Sequence, residues 1–234
     1  MTPGLQPVAE GAQGQAQRTE PLRPKPSASL ILIDRSGPTK RVLVGRRASG
    51  HAFMPDLYVF PGGRRDLRDH ALPFAKDLHP AVLDILLRRC SPRLTPAGAR
   101  ALALAALREL REETGLSLGP QAGSEAPYRP DLSSLRLIGR AVTPPGAVRR
   151  FDNRFFATFV DEAQVDLGNL QSSTELTDFH WLDLAALDSV RLPPILTAVA
   201  GDLKILLESE PSLPFGSQAY AYSFRKGEFV RHRL

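Results

Sequence analysis

Short apolar runs, rather than one long amphipathic stretch, organise the first third of the chain. Leu30, Ile31, Leu32 and Ile33 are continuous and half β-branched, which predicts a buried strand over residues 29–34. Ser36-Gly37-Pro38-Thr39 supplies turn chemistry, and Val42 to Arg47 reads as the hairpin partner. A loop over residues 48–57 then feeds a strand at Tyr58-Val59-Phe60, which ends in Pro61-Gly62-Gly63. The period changes further on. Val82, Leu83, Leu86 and Leu87 have helical spacing within residues 80–89. Thr95 followed by Pro96 gives an N-cap and a proline at the first helical position, and a helix is predicted to run to Thr114. Its buried stripe is Leu104, Leu107 and Leu110 with Ala103 and Ala106. Beyond Gly115 the pattern predicts a short strand at 116–118, a loop over 119–134, and strands at 135–142 and 154–160. A Trp-containing strand ending at Leu182 follows, with helices at 184–188 and 193–209. Tyr220, Tyr222 and Phe224 alternate, as in a last strand or a homodimer contact. Residues 1–27, rich in Pro, Gly, Gln and Ala, read as a disordered tail ahead of one domain over 28–234.

The polar side of the long helix carries the chemistry. Glu109, Glu112 and Glu113 stand at i, i+3 and i+4, so they share one face, and crowded like charges destabilise a helix unless something neutralises them. A hard divalent cation would do so, because Mg²⁺ and Mn²⁺ favour carboxylate oxygens. The plain alternative is a solvated face of mixed sign, since Arg108 and Arg111 are interleaved. Two features favour the first reading: the helix stops at Thr114-Gly115 directly behind the last Glu, and a strand runs into a glycine turn upstream.

Arg108 to Leu116 resembles the second half of the Nudix box, REUxEExGU with U aliphatic. Gly63, followed after five residues by Asp69, resembles the first half, Gx5E, with Asp in place of Glu. Residues 70–107 separate the halves, so the box is interrupted, with a helical insertion at about 70–94. An element inserted there is either an extra helix packed on the domain or a lid that tunes the site.

The resemblance implies an α/β fold, a Nudix α/β/α sandwich around a mixed sheet, and metal-dependent hydrolysis of a nucleoside diphosphate linked to another moiety. It implies Mg²⁺ or Mn²⁺ held by Glu109, Glu112, Glu113 and the carbonyl of Gly62, with Arg108 orienting a box glutamate. Glu109 or Glu175 would serve as general base. Arg149, Arg150 and Phe151, between two strands, are candidates for binding phosphate and stacking a base. The run Gly50 to Pro55 leading to Phe60-Pro61-Gly62-Gly63 resembles the branch of peroxisomal coenzyme A diphosphatases, which points to coenzyme A or acyl-coenzyme A. ADP-ribose, NADH and dinucleoside polyphosphates are the other substrates to weigh, and a non-catalytic nucleotide-sensing module is the rival class.

Composition narrows this further. With 234 residues and 42% hydrophobic content the chain can bury an ordinary core. A net charge of +5 and a pI near 9.7 favour anionic partners without naming them. No basic block interleaved with aromatics marks a nucleic-acid site, so none is expected as a partner. The single cysteine, Cys90, excludes an intrachain disulfide and reads as a structural thiol. No apolar run spans a bilayer and no secretory pattern opens the chain; the expectation is a cytoplasmic protein with no membrane partner.

Overall fold

The structure, a computed structural model, describes residues 22–50, 54–91, 93–119, 128–225 and 228–234. Its centre is β1 (Lys25–Asp34), whose apolar run is covered on both faces. Ala28, Leu30 and Leu32 point into one core, and Ile31 and Ile33 into another, as the two-residue period of a strand requires. The first core is closed by the long helix α2 (Pro96–Thr114) through Leu102, Leu107 and Leu110. The second is closed by α3 (Pro194–Ser209) through Val199 and Leu203. Each aliphatic side chain so buried contributes roughly 1.5–3 kcal/mol. The result is the expected α/β/α sandwich.

Around β1 the sheet is mixed. On one side lie β2 (Arg41–Arg47) and β4 (Gly62–Arg64), both antiparallel to β1; on the other lies β6 (Phe151–Phe159), parallel to it. β3 (Tyr58–Val59) and β7 (Leu176–Asp183) pair with β2. β5 (Arg136–Val142) joins β6, followed by β8 (Tyr220–Arg225) and the edge strand β9 (Glu228–Arg233).

Several boundaries differ from the sequence pattern. β1 starts at Lys25, inside the stretch expected to be tail, because Lys25 to Ser27 pair in register with Phe151 to Asn153. The same pairing turns Phe151 to Asn153 from loop into strand. Apart from Phe151 these residues are polar or proline and give no alternating apolar signal; pairing in the ladder holds them. No strand forms at Leu116-Ser117-Leu118, where both leucines drop into the α2-side core from irregular backbone. The helix expected over 184–188 is reduced to one 3₁₀ turn, Leu187–Ser189. Tyr222 is buried and donates to Asp202, so it packs the core and presents no surface for a dimer; Phe224 is exposed.

The insertion is packed, which decides between its two readings. After a 3₁₀ turn (Leu67–His70), α1 (Pro80–Ile85) passes into one π-helical segment, Leu86–Cys90. Leu78, Val82, Leu86 and Cys90 join the α2-side core. Arg140 of β5 bonds the Cys90 carbonyl and reaches Asp152 at 2.6 and 3.0 Å. Asp77 takes a bidentate contact from Arg100 of α2 at 2.7–3.0 Å, and the His79 ring stacks on Phe215 at 4.2 Å. The segment closes the core and does not stand over it as a lid.

Candidate active site

Helix α2 is held at both ends by its own sequence. Thr95 Oγ1 accepts the Gly98 N–H at 3.1 Å, and Gly115, at φ 74°, ends the last turn by donating to Arg111 O. A side chain at 115 would strike the Asn169 carbonyl at 2.6 Å, so both the left-handed backbone and the space require glycine. This stop places the acidic turn against β4.

Glu113 is almost fully buried, and its Oε2 accepts the Gly62 N–H at 2.8 Å. Glu109 packs its carboxyl on Gly63 so closely that a Cβ there would lie 2.5 Å from it. Gly62 is equally confined, with a Cβ meeting Ala28 O and Ser29 Cα at 2.5 Å. Gly62 thus lets β4 close on β1, and Gly63 lets α2 approach until the Glu109 carboxylate lies on the backbone. Glu112, on the outer side, is more than half exposed.

Arg108 ties the group together. Its Nη1 reaches Glu109 at 2.8 Å and Glu112 at 3.0 Å, Nη2 donates to Arg64 O at 3.1 Å, and Nε meets Asp69 at 2.8 Å. Asp69 is fully buried and also accepts the Asp66 N–H at 2.6 Å, closing a reciprocal cap on the turn that follows β4. The shorter acid therefore still reaches the box arginine, although the insertion begins directly behind it. The bond to Asp69 holds the Arg108 guanidinium firmly protonated.

Burial sets the electrostatics. Desolvation pushes the Glu113 carboxyl up to about 8, with the charges of Glu109 and Glu175 adding to the rise and the Gly62 N–H and Arg47 opposing it. Desolvation also raises Glu109, against the pull of Arg108. The charge of Glu175, exposed on the turn before β7, adds to the rise at both carboxyls. Ala48 N–H, beyond the end of β2, bonds Glu175 O at 3.0 Å. The charge of Arg47 acts on Glu113, a link the sequence did not reveal, since nothing local joins the end of β2 to α2.

The donor set fits a divalent cation in kind: acidic oxygens, desolvated and mutually repelling, beside glycine backbone. Among the described residues, however, no three His, Cys, Asp or Glu side chains converge closely enough to enclose an ion. Arg108 accounts for this, drawing Glu109 and Glu112 onto its own guanidinium.

The other sequence candidates belong to the β5–β6 connection and the start of β6. Arg149 is exposed in the β5–β6 connection, while Arg150 donates to Thr143 O and Leu22 O and pins that loop to the start of β1. Phe151 is half-buried at the first position of β6. His51, Ala52 and Phe53, part of the run that suggested the coenzyme A branch, lie outside the described residues. No helix among the described residues is long and apolar enough to cross a membrane.

No protein-family model matches the chain. It is 26% identical over 181 residues to a protein of Caenorhabditis elegans described as putative nudix hydrolase 7, a match covering 67% of this chain and 50% of the relative. The chain thus spans about half the length of that curated relative. Among solved structures it resembles a NUDIX hydrolase from Alicyclobacillus acidocaldarius, with 25% identity, a TM-score of 0.52 and coverage of 76% of this chain and 92% of that one. The Nudix domain of Shewanella oneidensis NrtR, solved with ADP ribose, aligns at 15% identity with a TM-score of 0.46, over 80% and 90% of the two chains.

Proposed function

We infer that this chain is a Nudix hydrolase acting on pyrophosphate bonds, and that its substrate is a nucleoside diphosphate joined to a second moiety. The observation that carries the reading is the pair of carboxylates, Glu113 buried and Glu109 half-buried, seated on Gly62-Gly63 with Arg108 and Asp69 behind them. Burying two acids side by side is costly unless a counter-charge completes the site. A structural role would be met more cheaply by apolar side chains.

Glu109, Glu112, Glu113 and the Gly62 carbonyl are the residues that would hold Mg²⁺ or Mn²⁺. When bound, such an ion would neutralise diphosphate charge and lower the pKa of a bound water. The chain's own groups do the rest. Asp69 fixes Arg108, Arg108 fixes Glu109 and Glu112, and the Gly62 N–H fixes Glu113. Of the two candidates for general base, Glu175 is the one taken first. One oxygen of Glu109 is committed to Arg108 and its carboxyl packs on Gly63, whereas Glu175 is exposed. Coenzyme A or an acyl-coenzyme A is the substrate proposed first, on the sequence around Phe60-Pro61-Gly62-Gly63.

The test is nucleotide release with Mg²⁺ or Mn²⁺ from coenzyme A, an acyl-coenzyme A, ADP-ribose, NADH and diadenosine polyphosphates. Glu113→Gln serves as the blank. Release of 3′,5′-ADP from coenzyme A supports the narrow assignment, and preference for another member keeps the reaction and rejects that substrate. Folded protein with no metal-dependent turnover makes the chain a sensing module. Glu175→Gln is expected to lower kcat about 100-fold and to remove the acid limb of the kcat–pH profile; an unchanged limb returns the base role to Glu109.

A further inference from the structure

One end of the sheet concentrates positive charge and exposed aliphatic side chains. Three separate segments meet there. Lys25 N–H bonds Arg150 O, Arg150 Nη1 bonds Leu22 O, and Arg65 N–H bonds Pro26 O, so the start of β1 is flanked by the β5–β6 loop and by the turn after β4. Arg23, Lys25, Arg64, Arg68 and Arg149 are exposed in these segments, with Arg150 half-buried among them. The only acid in residues 22–26, 64–68 and 146–150 is Asp66, whose side chain caps the turn by accepting the Arg68 N–H. Counting the half-buried Arg65, seven cations against one acid give this end a clear positive surplus.

The apolar residues here are placed unlike those of an ordinary surface. Leu67 and Val148 are each 85% exposed, and Leu22 is 57% exposed. Leu67 and Val148 top two different loops on either side of β1. Each lies one residue from an exposed arginine, Leu67 beside Arg68 and Val148 beside Arg149. Isolated exposed aliphatic residues need no explanation, but two loop tips within one cationic patch do.

We propose that this end of the molecule docks on an anionic bilayer surface, with Leu67 and Val148 entering the headgroup–acyl boundary and the surrounding arginines and Lys25 meeting acidic lipids. Charge complementarity and the exposed aliphatic tips favour a bilayer over nucleic acid, since a nucleic-acid surface would gain nothing from Leu67 or Val148, and no aromatic ring at the loop tips offers a stacking platform. That no helix among the described residues is long and apolar enough to cross a membrane says nothing against lying on one. The proposal is independent of the hydrolytic reaction.

The experiment is co-sedimentation of the full chain with vesicles of phosphatidylcholine alone, or mixed with phosphatidylserine, at near-physiological salt. Binding to the mixed vesicles only is expected, weakening steeply as salt rises. Arg64→Glu with Arg68→Glu should lower partitioning at least about 10-fold. Leu67→Ser with Val148→Ser should lower it about 5–50-fold with unchanged circular dichroism and unchanged turnover of a soluble substrate. No binding by the wild type overturns the proposal, as does equal binding to neutral vesicles or a serine double variant that binds as well as wild type. Tight binding of an RNA or DNA oligonucleotide that survives the serine changes would make the patch a nucleic-acid surface instead.

Discussion

Asp69 does more than its short side chain suggests. It is fully buried; Arg108 donates to both of its oxygens, and one of them also accepts the Asp66 N–H. Asp69→Asn preserves the shape but removes the charge that holds Arg108. Activity is expected to fall roughly 10–100-fold, as when the partner of a ligating group is lost, and stability by about 1–3 kcal/mol. Steady-state kinetics and thermal unfolding on the same variant check both; full activity would show that Arg108 does not need its anchor. Cys90 gives a second residue-scale prediction. Burial pushes its thiol from 9.0 up to about 11. An acid whose folded pKa is raised holds its proton longer in the folded state. Stability from this group is therefore complete below pH 9 and is lost as pH rises from about 9 to 11, by roughly 1.4 kcal/mol per pH unit. Denaturant midpoints of wild type and Cys90→Ala should therefore converge over that range, and the native thiol should resist a thiol reagent at pH 8.

At the scale of elements, the insertion is fastened by polar contacts of unequal weight. Arg140 serves the Cys90 carbonyl and Asp152 together, in a setting shared with the buried Arg154. Arg140→Met leaves that carbonyl without its donor and Asp152 with Arg154 as its remaining arginine, and should cost about 1–3 kcal/mol. The Arg100–Asp77 pair is bidentate but largely solvated, so Arg100→Ala should cost no more than about 1 kcal/mol. Chemical denaturation of the two variants ranks them, and the reverse order would mean that the insertion is held chiefly along α2. The periodicity over residues 80–89 identified this helix correctly, but no local signal marks the shift to π-helical bonding at Leu86. That shift accompanies seating Leu86 and Cys90 in the core.

For the whole molecule, the interruption of the box is structural in kind. Leu78, Val82, Leu86 and Cys90 fill the space between α2 and the sheet. Replacing residues 71–93 by a short Gly/Ser linker should therefore abolish the cooperative thermal transition, whereas removing a lid would spare it and alter only KM and kcat. Differential scanning calorimetry of the shortened chain decides. The fold tolerates the excursion because the two box halves are brought together by β4 packing on α2, and a longer connection adds only slowly to the entropy of closing the loop.

The sequence by itself determined the carboxylate face of α2, its caps at Thr95 and Gly115, the buried alternation of β1 and the glycine pair at 62–63, which it read as a turn and the structure holds in β4. All of these are written in spacings of a few residues, where helix and strand geometry act directly. Only the tertiary structure decided that Asp69 reaches Arg108, that the charges of Glu175 and Arg47 act on Glu113, that Lys25 to Ser27 extend the central strand, and that cations from three segments share one end of the sheet. These depend on contacts between residues far apart in the chain. Such contacts follow from how apolar faces pack and strands pair, which no local period records.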